Sequence, residues 1–236
     1  MSLLALSNVA TYYGTSHILF DVGLAVAPGE VVCLLGRNGA GKTTTMKTIM
    51  GLVRATRGSI VFAGNEIVGL APYAIARLGV GYVPDERLIF PDLTVRENLE
   101  IARKPPAIAG IEPWTVARVY ELFPALAPRD GNLGGYLSGG EQQMLTVGRT
   151  LMGNPSLLLL DEPVEGVAPL VVRHLGETIV ALKQMGLTIL MAEQNLVFAR
   201  QISDRAYVIE KGRIRFSGTI AELEANHEVQ QKYLMI

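Results

Sequence analysis

Residues 36–43 read GRNGAGKT, with a strand-like run, EVVCLL, at 30–35 and a helical segment at about 42–52 on either side. Glycines at 36, 39 and 41 let the backbone turn tightly and aim N–H groups at anionic oxygens. The start of the helix adds partial positive charge. These residue types suit a polyphosphate cradle made of Gly36, Arg37, Asn38, Gly39, Ala40, Gly41, Lys42, Thr43 and Thr44. In such a cradle Lys42 reaches the β and γ phosphates and the Thr43 hydroxyl faces a magnesium ion. The spacing G-x-x-x-x-G-K-[ST] between strand and helix implies a nucleotide, without saying which reaction follows.

Three further stretches carry chemistry. LLLLDEP, at 157–163, is a buried strand ending in two acids, which a parallel sheet would point toward the phosphate loop. Asp161 is expected to hold magnesium through water, and Glu162 to orient or deprotonate an attacking water. LSGGEQQ, at 137–143, is a capping box in which Ser138 opens a helix and Glu141 stands at its third position. Gly139 and Gly140 cost that helix about 1 kcal/mol each relative to alanine. A ligand approaching the backbone closely would explain them, and Ser138, Gly139, Gly140 and Glu141 then form a second anion site. One nucleotide does not need two phosphate sites in one polypeptide, so a dimer is expected in which each Ser138 end closes on the other chain's nucleotide. Finally, the apolar run GLTILMA at 186–192 ends in Glu193, Gln194 and Asn195. The Gln194 amide can donate to a phosphate oxygen or water and accept another hydrogen bond, but cannot titrate near neutral pH.

The elements that must position these residues follow from pattern and punctuation. Strands are expected at 3–12 and 17–26 around a turn at Gly14-Thr15-Ser16, and at 58–63, 79–83, 157–161 and 188–192. Thr94 and Glu97 form a capping box for a helix to about Arg103. Pro113, as a first helical residue, predicts a helix to about Leu126. Between them KPPAIAGIEP is the candidate variable loop. Ser138 caps a helix to about Met152, another spans about 169–185, and the tail holds a hairpin at Lys211-Gly212 and a helix capped by Thr219 and Glu222. Strands alternating with helices imply an α/β fold with a mainly parallel sheet. The expected organisation is one domain over 1–236, with a core of about 1–93 and 155–236 and an inserted helical subdomain of about 94–154.

Composition excludes several classes. A formal net charge of −1 argues against a protein that binds nucleic-acid backbones by electrostatics. The first twenty residues lack charged side chains, but without a basic start and with only LLAL as an apolar stretch they are not expected to be a signal peptide. No apolar run approaches the ~20 residues of a membrane span, so a soluble cytosolic protein is expected. The single cysteine, Cys33, lies within VVCLLG and is expected to be buried and inert.

The phosphate loop, LSGGEQQ and LLLLDEP, in their order along nearly the whole chain, resemble the ATP-binding cassette ATPases. The resemblance implies a P-loop NTPase fold of RecA-like type with an antiparallel β edge. It also implies hydrolysis of ATP with Mg²⁺, and a head-to-tail dimer with two ATP molecules at its interface that drives membrane subunits. By position, Tyr13 is the aromatic that stacks on adenine, with Tyr12 as the fallback. VPDERLIFPDLTVRENL, at 83–99, matches the segment touching the membrane subunit, where Asp85 replaces the glutamine that contacts Mg²⁺ and water. Arg149 fits a structural arginine.

Two departures narrow the resemblance. Ala168, in EGVAP, replaces an aspartate that crosses the dimer interface, and Gln194 replaces a histidine. His17, His174 and His227 lie elsewhere and are assigned no catalytic role. GEQQMLTVGRTLM, EGVAP, FPDLTVREN and AEQN together resemble the smaller ATPase of branched-chain amino acid importers. That implies a second cassette ATPase, membrane permeases and a periplasmic binding protein as partners, on the cytoplasmic face of the inner membrane. Importers of urea and short amides and lipid or export systems are the alternatives. DNA-repair cassettes with long coiled coils, translation factors with two fused cassettes and P-loop kinases fit the sequence less well.

Overall fold

Alternating burial and glycine turns organise the chain, whose computed structural model describes residues 2–106 and 112–234. In chain order the strands are β1 (Leu4–Tyr13), β2 (Ser16–Val26), β3 (Val31–Leu35), β4 (Ala55–Phe62), β5 (Asn65–Glu66), β6 (Val80–Val83), β7 (Leu157–Asp161), β8 (Thr188–Glu193), β9 (Arg205–Glu210) and β10 (Arg213–Thr219). The longer helices are α1 (Lys42–Ile49), α2 (Pro72–Leu78), α3 (Val95–Glu100), α4 (Val116–Leu122), α5 (Gly139–Leu151), α6 (Pro169–Gln184), α7 (Leu196–Ile202) and α8 (Ile220–Ala225).

The six-stranded sheet runs β10-β9-β3-β8-β7-β6, parallel except for the β9–β10 hairpin. A second, antiparallel sheet runs β2-β1-β4-β5. Strands β3 and β7 are buried along their whole length, as a parallel sheet covered on both faces requires. Their side chains alternate between two apolar clusters. Val31, Cys33, Leu35, Leu158 and Leu160 face a cluster that includes Leu99, Leu145, Leu175 and Ile179 of the helices. Val32, Leu34, Leu157 and Leu159 face one that includes Met46 and Ile49 of α1 and the inner residues of β1, β2 and β4. Each fully buried leucine contributes roughly 1.5–3 kcal/mol, so a strand of four leucines is a strong anchor for the two acids at its end.

Helices α3, α4 and α5 all lie between β6 and β7 in the chain. The Thr94–Glu97, Ser138–Glu141 and Thr219–Glu222 capping boxes all form. Three expectations are corrected. Helix α4 begins at Val116, because Thr115 supplies the cap by accepting from Arg118 N–H, and Pro113 lies outside it. It ends at Leu122, where Phe123 leaves helical geometry and a 3₁₀ segment, Pro124–Arg129, takes over. Helix α3 ends at Glu100, short of Arg103. Helices α2 and α7 were not anticipated. Pro72 opens the first, and the Asn195 side chain caps the second by accepting from Phe198 N–H. KPPAIAGIEP lies partly outside the described residues. Among the described residues no helix is long and apolar enough to cross a membrane.

Candidate active site

Three parallel strands end side by side. β8 lies between β3, which runs into the phosphate loop, and β7, which ends in the acids. The register pairs Leu35 with Glu193 and Asp161 with Ala192. Gly36 N–H then donates to Glu193 O at 3.2 Å, and Glu162 N–H to Ala192 O at 3.0 Å. The sheet therefore brings the glycine loop, the two acids and the Glu193-Gln194 turn to one edge.

The loop itself is propped from behind. A Cβ at Gly36 would stand 2.5 Å from Ile209 O, so only glycine lets β3 turn here. Gly212, in the turn of the β9–β10 hairpin, donates its N–H to Ala40 O at 2.8 Å and accepts from Phe20 N–H at 2.8 Å. A Cβ there would stand 1.8 Å from Ile18 O, so the hairpin turn fits between β2 and the phosphate loop only without a side chain. Gly41, with φ +113°, is the N-cap of α1 and offers no side-chain cap. The leading N–H groups of α1 therefore have no capping side chain and suit an anion. Arg37, Asn38 and Gly39 are exposed, Ala40 is buried and Thr44 half-buried.

Lys42 is 3% exposed. Its ammonium donates to Gly36 O at 2.8 Å and Arg37 O at 3.1 Å, and pairs with Glu162 Oε1 at 3.0 Å. The Thr43 hydroxyl donates to Asp161 Oδ1 at 3.0 Å, and the Tyr82 hydroxyl to Asp161 Oδ2, also at 3.0 Å. Burial pushes the Asp161 carboxyl up to about 6, opposed by those two hydrogen bonds and reinforced by the charges of Asp85 and Glu162. Burial also raises the Glu162 carboxyl, but hydrogen bonds with Glu165 and Lys42 outweigh it, so the net shift is downward. Glu165 shifts upward, chiefly through its hydrogen bond with Glu162. The two acids thus divide roles, Glu162 ionised and Glu165 holding a proton more readily. Glu162 sits at φ +47°, an unusual backbone for a non-glycine residue. Asp85 is exposed just beyond β6, near enough for its charge to act on Asp161 and Glu165.

Gln194 and Asn195 are exposed, whereas Glu193 is 3% exposed. Glu193 Oε2 accepts from the backbone N–H groups of Gln194 at 3.0 Å and Asn195 at 3.2 Å. Burial raises its carboxyl to about 7, against the pull of those N–H groups, and the nearby Glu162 charge adds to the rise. Cys33 is buried, and burial followed by the Glu193 charge pushes its thiol up. Tyr13 is 47% exposed. Tyr12 is stacked on His17, with ring centroids 4.0 Å apart, so one face of that ring is already covered. His174 packs edge-on to Phe123, and none of the three histidines lies at the ends of β3, β7 or β8 that meet at the site.

The Ser138 end forms a second centre. Ser138 Oγ donates to Glu141 Oε2 at 2.7 Å, Ser138 N–H to the same oxygen at 2.8 Å, and Arg129 Nε to Glu141 Oε1 at 3.1 Å. The two glycines have a reason within the chain. A Cβ at Gly139 would stand 2.6 Å from Arg87 Nη1, and one at Gly140 2.6 Å from Val171 Cγ2. The expectation is a ligand at the backbone; the groups that stand nearest here are side chains of the same polypeptide, the tip of Arg87 at Gly139 and Val171 at Gly140. Arg149 donates to Leu88 O and lies over the Phe90 ring, with its guanidinium 4.9 Å from the centroid, a structural role.

Sequence reasoning passed over Tyr82, Arg87, Glu165, Glu193 and Gly212. Tyr82 carried a usable signal, since it lies two residues from Pro84 on a strand paired with β7. Arg87 and Gly212 act through backbone atoms distant in sequence, whereas Glu165 and Glu193 bond within three residues and gain their setting only from the sheet.

Comparison with known proteins agrees with this geometry. Residues 19–165 match the family model described as ABC transporter, more than half of the chain. The chain is 43% identical to the high-affinity branched-chain amino acid transport ATP-binding protein BraG of Pseudomonas aeruginosa, over 98% of this chain and 99% of that protein. It is 38% identical to the lipopolysaccharide export system ATP-binding protein LptB of Haemophilus influenzae, over 99% and 98%. A crystal structure of a nucleotide-free ATP-binding cassette from an ABC transporter superposes with a TM-score of 0.82 at 27% identity, covering 97% of each chain. This chain belongs to the ABC transporter family, as an ATP-binding and ATP-hydrolysing cassette with the P-loop NTPase fold.

Proposed function

We propose that this cassette is the ATPase of an importer for branched-chain amino acids or related small polar solutes. The observation that carries this reading is the joint occurrence of EGVAP and AEQN in a chain 43% identical to a branched-chain amino acid transport protein. The likeness to a lipopolysaccharide export protein at 38% identity favours lipid export as the second reading. In either reading the chain works as a homo- or heterodimer with a second cassette, bound to permeases on the cytoplasmic face of the inner membrane. Import adds a periplasmic binding protein. The part from about 94 to 154 would be the helical subdomain that meets the permease.

In this mechanism the phosphate chain lies along the loop from Gly36 to Thr44 with adenine on Tyr13. Lys42 and the loop amides hold the β and γ oxygens. The same ammonium keeps Glu162 ionised, so Glu162 can take a proton from water as its oxygen bonds to the γ phosphorus and the bond to ADP breaks. Gln194 positions phosphate or water through its amide, and Ser138 of the partner cassette closes on the γ phosphate. The donors suit Mg²⁺: a hydroxyl and a carboxylate 3.0 Å apart, Thr43 and Asp161, with the Asp85 carboxylate nearby. Among the described residues no group of three or more His, Cys, Asp or Glu could hold a metal. Mg²⁺ keeps waters and substrate oxygens and needs only one or two protein ligands. When bound it would neutralise phosphate charge.

Two experiments test the reading. Glu162→Gln should lower turnover by roughly 10²–10⁴ and accumulate an ATP-bound dimer on size exclusion; normal hydrolysis would remove Glu162 from its role. Pull-down from solubilised native membranes should recover permeases with a second cassette, and recovery with lipopolysaccharide-export components instead would select the second reading.

A further inference from the structure

The segment that leaves β6 crosses between the two centres, and Arg87 stands at the crossing. Its Nη2 donates to Glu165 O at 2.8 Å and Gly166 O at 3.3 Å, in the loop that follows Glu162. Its Nη1 occupies the space a side chain at Gly139 would fill, 2.6 Å from that Cβ position, at the start of α5. Arg87 holds φ +51°, and its carbonyl accepts from Ile89 N–H at 2.7 Å in a tight turn. One and three residues on, Arg149 of α5 grips the same segment at Leu88 O and the Phe90 ring. One guanidinium thus bonds the loop that follows Glu162 and lies against the helix start that carries Ser138. The planar group places Nη2 on the loop and Nη1 against the helix start at once, a span that a single ammonium nitrogen does not offer.

We propose that Arg87 is a positioning residue for ATP hydrolysis: it fixes the Ser138 end of α5 relative to the Glu162–Gly166 loop of the same chain. This rests on the reading that Ser138 acts on the partner's nucleotide. If Ser138 serves one site and Glu162 another, their spacing within each chain sets whether both sites of a dimer can close together. Arg87 touches none of the phosphate-loop groups described above, so nucleotide binding by a single chain does not depend on it. Misplacement of a catalytic group by about 1 Å costs up to roughly 10²-fold in rate.

The test uses the full chain with Arg87→Ala and Arg87→Lys. Arg87→Ala should lower kcat about tenfold or more, with fluorescent-ATP affinity and thermal midpoint close to those of the parent. Arg87→Lys should recover part of the loss, since its ammonium can still donate to the loop carbonyls but has no second nitrogen to lie against the helix start. Spin labels on Ala127→Cys, in the 3₁₀ segment, and Glu177→Cys, on α6, report the spacing directly; Cys33 is buried and stays unlabelled. The distance distribution should be narrow in the parent, broad in Arg87→Ala and intermediate in Arg87→Lys. An unchanged distribution overturns the link. A broadened distribution with undiminished kcat overturns its role in hydrolysis. The underlying reading fails separately: mixing Lys42→Ala and Ser138→Ala chains creates one site with both groups intact, and no regain of turnover on mixing would show that Ser138 does not act across chains.

Discussion

The phosphate loop and the Ser138 end of α5 are both glycine-rich helix starts, yet they are finished differently. Helix α1 begins at Gly41 without a side-chain cap, and its lysine is held by main-chain oxygens and an acid from the next-but-one strand. Helix α5 begins with a complete capping box, its serine hydroxyl held by its own glutamate. The first arrangement leaves amides for a ligand and fixes the cation in advance. The second satisfies itself until a stronger acceptor competes for the hydroxyl. Two glycine-rich helix starts of like composition thus differ in kind, one with its leading amides uncapped and the other closed on its own glutamate.

The sharpest way to break this contrast is to compare Lys42→Ala with Ser138→Ala. Lys42→Ala should cost roughly 10²–10³ in turnover and weaken ATP binding, as loss of a charge-stabilising donor does. Ser138→Ala should lower turnover while leaving single-chain ATP affinity intact, and cost about 0.5–2 kcal/mol of helix stability through the lost cap. Equal losses of affinity, measured by titration with fluorescent ATP, would erase the distinction. A smaller effect is expected at Gln194. Gln194→Ala should slow hydrolysis about tenfold, the worth of one hydrogen bond, and Gln194→His should keep most of the rate; a Gln194→Ala protein with normal turnover would remove the amide from the reaction.

A further effect is on stability and its pH dependence, not on rate. The Glu193 carboxyl titrates at about 7 in the folded chain against an ordinary 4.5, so the folded state holds its proton more tightly. Its contribution is complete below about 4.5 and is lost as pH rises through about 7. Glu193→Gln keeps an acceptor for the two turn N–H groups but cannot ionise. The fall in unfolding free energy from about pH 5 to about pH 8 should shrink by about 1–3 kcal/mol in this variant. Urea titrations at the two pH values measure it, and identical pH dependence in both proteins would mean that Glu193 stays ionised when folded.

Much of the site's frame is legible locally. GRNGAGKT, the leucine strand and the three capping boxes each state their geometry within a few residues, and all form where expected. The failures have physical causes. Pro113 looked like a helix start because proline tolerates that position, but Thr115 could cap and proline could not. Asn195 drew attention as part of a chemical signature, while its side chain does ordinary capping work for α7. Glu193 stood out in the sequence only as the residue that ends an apolar run; the sheet order, with β8 between β3 and β7, accounts for its burial. Arg87 was invisible because its acceptors are main-chain oxygens 78 and 79 positions away, which no spacing rule encodes.

The prop beneath the phosphate loop has a consequence for biosynthesis. Residues 36–43 leave the ribosome early, but Ala40 meets its support only when Gly212 has been made, and β3 gains both neighbours only with β8 and β9. A nascent chain therefore carries the nucleotide motif long before it has a rigid cradle. Tight ATP capture has to wait until translation has passed the hairpin, so an incomplete chain lacks the support needed to spend nucleotide.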